Sequence, residues 1–129
     1  MATRAEPAAE DRGLARVWGL VAAGAPPNAV EQAVIDEARA LAGCEAAALV
    51  PGDAGGTDAL LARAAITAGR PVEESDAGGV TAIAGEVGPA GAGGTALVVR
   101  APEGGELDPA VAEPLARLAL VAGMGIAGA

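Results

Sequence analysis

From residue 6 to about residue 23, apolar positions recur at intervals of three and four: Leu14, Val17, Trp18 and Val21 share one helix face. Gly24 and the pair Pro26-Pro27 stop that helix. A second begins at once, with Asn28 placed to cap it and Glu31 completing a capping-box pattern. Val30, Val34, Ala38 and Leu41 form its stripe, and Gly43 stands where a left-handed C-terminal residue is wanted. The period then drops to two. Ala46, Ala48 and Val50 alternate with Ala47 and Leu49 until Pro51-Gly52-Asp53 ends a short strand. Thr57 is placed to cap a third helix over residues 58–68, with Leu60, Leu61, Ala64 and Ala65 inward and Gly69 closing it. Arg70-Pro71-Val72 is extended, because proline disfavours helix at the residue before it.

Two more strands follow, at residues 80–87 and 95–100, joined as a hairpin by the glycine-rich loop 88–94. Leu107 tucks inward, and Asp108-Pro109 caps and starts a last helix that buries Val111, Leu115, Leu118 and Ala122. The order helix, helix, strand, helix, extended segment, strand, strand, helix predicts an α+β fold. In it an antiparallel β-sheet carries the N- and C-terminal helices on one face, and no helix covers the other. Residues 1–5 are expected to form a flexible N-terminus and residues 6–129 a single domain, the size of one ordinary unit.

Composition narrows the chemistry. Alanine accounts for 36 residues, whereas Leu, Val and Ile together number 27, so the core is small and alanine-packed. There is no His, Tyr, Phe or Lys, one Trp (Trp18) and one Cys (Cys44). Imidazole metal sites and Ser/His or Cys/His nucleophilic pairs are thereby excluded. So are lysine Schiff bases and P-loop lysines. No cofactor is called for. Eight arginines against 17 acids give a net charge of −9, which repels polyanions, so nucleic acid and anionic membrane are poor partners. A lone cysteine closes no internal disulfide, and no basic-then-apolar leader opens the chain. The nearly uncharged stretch 115–129 is shorter than the roughly 20 residues of a spanning helix. A soluble, cytoplasmic protein is the expectation.

Three phrases carry a family resemblance: EARALAGCEAAALV (37–50), TAGRPV (67–72) after a short helix, and GGTALVVRAPEGGELDP leading into VAEPLARLALVAGMGIAGA. In this order they resemble the GAF family of small-molecule sensor domains, over roughly residues 14–128. Leu107 stands where that family usually has an aromatic. The resemblance implies a non-enzymatic regulatory or sensory module of signal transduction that binds a small metabolite or a partner protein. It also implies a homodimer bundled through the terminal helices. Two departures matter: only residues 52–57 lie where the family carries a second strand and loop, and the stretch between TAGRPV and the final hairpin is short. The missing pieces normally roof a ligand pocket, so a pocketless scaffold or interaction domain is an alternative. A redox enzyme like the free methionine sulfoxide reductases of this family, acting through Cys44, is another. That chemistry uses a second, resolving thiol, and this chain has none.

Candidate residues follow. Arg70, Asp76 and Arg100 are the ligand-binding candidates, with Arg63 beside them, since a guanidinium fork is what an acidic metabolite needs. A surface ion pair with one of the 17 acids is the plainer use of each arginine. Asp53, Glu73, Glu74 and Asp76 can gather carboxylates at one rim, but their spacing matches no dedicated metal loop, and no metal is assigned. Leu14, Trp18, Leu118 and Ala122 are the dimer-interface candidates. Trp18 is either its aromatic anchor or an ordinary core residue. Cys44, at the mouth of an apolar strand, reads first as an inert buried thiol.

Overall fold

The structure, a computed structural model, describes residues 9–44, 46–53, 55–76, 79–87, 94–102 and 105–127. The expected N-terminal tail 1–5 and most of the hairpin loop, 88–93, lie outside them. Helix α1 (Ala9–Ala22) leads into α2 (Pro27–Ala42). The start of α2 differs from the capping-box expectation: Pro26 is the N-cap, extended at φ −64 and ψ 151, with no side-chain cap bond, and Asn28 lies inside the first turn. Proline supplies the helical φ in advance and has no N–H to leave unpaired, so Pro27 can open the helix without a capping side chain. The far end is as expected, with Gly43 left-handed at φ 66 and its N–H bonded to the Arg39 carbonyl.

After β1 (Ala46–Pro51) come α3 (Thr57–Ala68), β2 (Val72–Asp76), β3 (Gly79–Glu86) and β4 (Thr95–Arg100). Gly56, not Thr57, is the N-cap of α3, at a φ of 103 that a threonine would not adopt without strain. Asp108 caps as its sequence suggests: its carboxylate accepts the Ala110 N–H at 2.9 Å. It opens the 3-10 turn Pro109–Val111, which passes into α4 (Ala112–Ala127).

All strand pairs are antiparallel, in the order β1-β4-β3-β2. The segment expected only to be extended after Pro71 is the edge strand β2. The fold is α+β, with a four-stranded antiparallel sheet and four α-helices among the described residues. The terminal helices belong to one side, where Ile83, Leu97 and Val99 meet Val30 and Val34 of α2 and Leu115 and Leu118 of α4. The bare second face does not occur. There α3 packs Leu61, Ala62 and Ala65 on Ala82, Ala84, Ala96 and Val98. The reason lies in β3 and β4, which are apolar without alternation over residues 82–85 and 96–99 and so must be covered on both faces.

α1 forms an outer layer. It rests on α2 and α4 and makes little contact with the sheet. Val17 is fully buried in that contact. At the crossing with α2, a Cβ on Gly13 would collide with the Glu37 carboxylate, which also pairs with Arg16 at 3.7 Å. α3 differs from its expected orientation: Ala59, Leu61, Ala62 and Ala65 face in, while Leu60 is 61% exposed and Ala64 is also outside. Small residues opposite small residues let the helix lie close to the sheet.

Candidate functional site

The strongest polar constellation centres on Arg100, at the end of β4 on the α3 face. Its Nη2 and Nε donate to Asp58 Oδ1 at 2.6 and 3.0 Å, and its Nη1 donates to Glu74 Oε2 at 3.2 Å. Asp58 comes from the first turn of α3, where a carboxylate also suits the helix dipole, and Glu74 comes from β2. The hydrogen bonds it donates to Glu74 and then to Asp58 hold the guanidinium pKa above its already high ordinary value, against a smaller opposing effect of burial. Three elements are therefore joined by one side chain. As an anion receptor Arg100 is already occupied, because two carboxylates outweigh its single charge. Asp58, which the sequence reading passed over, is the missed partner. An acid in the opening turn of a helix was the only local sign of it.

Arg70 is placed quite differently. It is exposed in the turn between α3 and β2, beside an open cleft of 180 Å³ whose wall includes Pro71, Gly85, Ala116 and Leu120. Its guanidinium makes no hydrogen bond or ion pair to a described residue. Glu86, 8% exposed, borders the same cleft and is already engaged. Asp76 ends β2 at the opposite end of that strand, and its side chain lies outside the described residues. Arg70, Asp76 and Arg100 are thus not brought into one site. Arg63 is drawn toward the end of β1, donating to the Gly52 carbonyl at 2.6 Å, and lines a second open cleft with Asp53 and Ile66.

The carboxylate rim does not form either. Antiparallel pairing through the whole sheet sets Asp53, just beyond β1, and Asp76, at the end of β2, at diagonally opposite corners. Glu74 is committed to Arg100. Among the described residues no group of three acids or thiols is arranged to hold a metal ion. Cys44 is buried, and its thiol leans toward the Ala46 carbonyl at 3.8 Å, the setting of a packed rather than an attacking sulfur.

The interface candidates separate as well. Leu118 and Ala122 are 1% and 0% exposed, covered by the chain's own core and closed to a second molecule. Leu14 is half-buried at the edge of that core, and Trp18 is 49% exposed on α1. Trp18 is therefore not the core filler that its apolar stripe allowed. No helix among the described residues is long and apolar enough to cross a membrane. Compared with known proteins, the chain matches no family model, no curated protein and no solved structure.

Proposed function

We propose that the chain is a non-enzymatic regulatory domain of GAF type that acts by contact with a partner protein, not through a ligand enclosed beneath α3. The observation that carries this reading is the closure of α3 on the sheet. Ala62, Ala65, Ala82, Ala84 and Ala96, all fully buried, occupy the space an enclosed ligand would need. The family part is supported by the way its phrases fall on the fold. EARALAGCEAAALV runs from α2 through the Gly43 cap into β1, and TAGRPV joins the end of α3 to β2. Leu107 is 4% exposed, packed ahead of α4.

The outer helix α1, with Trp18 half exposed, is the surface we assign to that partner. A partner regulates such a module only if it favours one packing of α1 on α2 and α4 over another. Native mass spectrometry of the chain purified from its own host tests the reading. The expected mass is that of the chain, or a multiple, alone or with a second protein. A bound small molecule that survives buffer exchange would overturn it.

One observation favours a second reading. The Arg70 guanidinium beside the 180 Å³ cleft has the chemistry to hold the carboxylate or phosphate of a small acidic metabolite at the surface. In that case Arg70→Ala would abolish the mass increment that native spectrometry detects.

A further inference from the structure

The two edges of the sheet are unlike. β2 carries Glu73, Glu74 and Asp76 and breaks register between Glu74 and Ser75. Charge and a bulge of this kind keep another strand from pairing. β1 has the sequence AAALVP, without a charge, and holds an unbroken register with β4 over all six of its residues. In a chain of net charge −9, it presents a regular and uncharged edge.

The hydrogen-bond phase shows what that edge offers. The Gly52 N–H donates to the Gly94 carbonyl at 2.6 Å, while Val87 donates to Thr95 and Ala101 to Thr81 on the other side of β4. Pairing alternates along an antiparallel ladder, so Ala46, Ala48 and Val50 bond to β4. The N–H and C=O groups of Ala47 and Leu49 therefore point away from the sheet, and no described residue bonds to them. Ala46 and Ala48 are exposed, so on this face α3 covers only the Val50 end of the strand.

We infer that β1 is a self-pairing edge, and that two copies of the chain join there into a continuous eight-stranded antiparallel sheet. The outward groups are complementary to themselves: about a two-fold axis at Ala48, Ala47 of one copy and Leu49 of the other exchange both backbone bonds, twice over. The same symmetry sets one uncharged strand against another, so no like charges within β1 face each other across the seam. The guarded β2 edge stops growth at two copies, giving a closed dimer instead of a fibre. This association is independent of whether a partner docks on α1.

Sedimentation of the full chain at tens of micromolar is expected to give twice the chain mass. Ala48→Lys sets two like charges directly opposite each other, and should return the mass to that of one chain while circular dichroism stays unchanged. In a Cys44→Ala background, Ala48→Cys should form an interchain disulfide on mild oxidation. The paired Cα atoms would be about 4.5 Å apart, within bridging range. Ser75→Cys on the guarded edge should not. A monomeric wild-type chain, a dimer that survives Ala48→Lys, or a dimer that only Trp18→Ala dissolves would each overturn the inference.

Discussion

On one face of the sheet, Ile83, Leu97 and Val99 meet Leu115, Leu118, Val30 and Val34, and Val17 of α1 is fully buried in the same core. On the other, Ala82, Ala84, Ala96 and Val98 meet Leu61, Ala62 and Ala65 of one helix. The strands are the same, but neighbouring residues serve opposite faces, so each strand builds a large-residue layer and a small-residue layer at once. Burial free energy follows apolar area, at roughly 25 cal/mol per Å². The α2/α4 side is therefore the stabilising half. The α3 side holds a helix close by shape, with little area per residue, and adds the Arg100 clamp at its N-terminal end.

Four substitutions test that contrast, taken from the largest effect to the smallest. Leu115→Ala, at a fully buried position on the heavy side, should remove about 3 kcal/mol in chemical denaturation, a large share of a typical domain's stability. A loss no greater than that of an exposed site would show that the heavy side does not dominate. Ala84→Leu on the light side should cost about 2 kcal/mol by overpacking, because α3 has no room to accept three more carbons. If α3 instead rides outward at no cost, the alanine closure is loose, and amide exchange in α3 would rise without a change in denaturation midpoint.

Arg100→Gln should cost about 1 kcal/mol, since its carboxylate partners are 47% and 40% exposed and solvent screens the pair. The loss should appear first as faster amide exchange in α3, and raising the salt concentration should narrow the difference. Its pH dependence follows from the sign of the shift. Because the folded pKa lies above the ordinary value, the contribution is fully present below the unfolded arginine pKa and disappears only above it. The difference between wild type and variant should thus not decline from neutral to moderately alkaline pH. A decline there would mean that a group other than Arg100 holds α3 down. Leu60→Ala should change stability by less than about 0.5 kcal/mol, because that leucine faces solvent at 61% exposure.

Local signals were readable wherever one residue type had one physical use. Gly43 and Gly69 end helices in the left-handed region, Asp108 caps, and Leu107 is buried, each as the pattern of neighbours suggested. The start of α2 was misread because a proline pair can do the work of a capping side chain. The face of α3 was misread for a different reason. TDALLARAAITA is apolar nearly all round, so period alone cannot choose its inner side. The alanines of β3 and β4 choose it, by admitting small residues and leaving Leu60 outside.

For the candidate sites, distance along the chain was the obstacle. Arg100 lies 42 residues from Asp58 and 26 from Glu74, and no spacing rule links them. Arg70 and Asp76, six positions apart, are carried to opposite ends of one strand. The sequence by itself determined the order of helices and strands, the alanine-rich character of the core and the absence of imidazole and lysine chemistry. These depend on residue identity and on neighbours within a turn or two. Only the tertiary structure decided that α3 closes the second face, that Leu118 and Ala122 are internal, that Arg100 is held by two acids, and that β1 lies at the edge of the sheet. Each of these depends on which strands become neighbours, and backbone pairing between distant segments has no counterpart in local sequence.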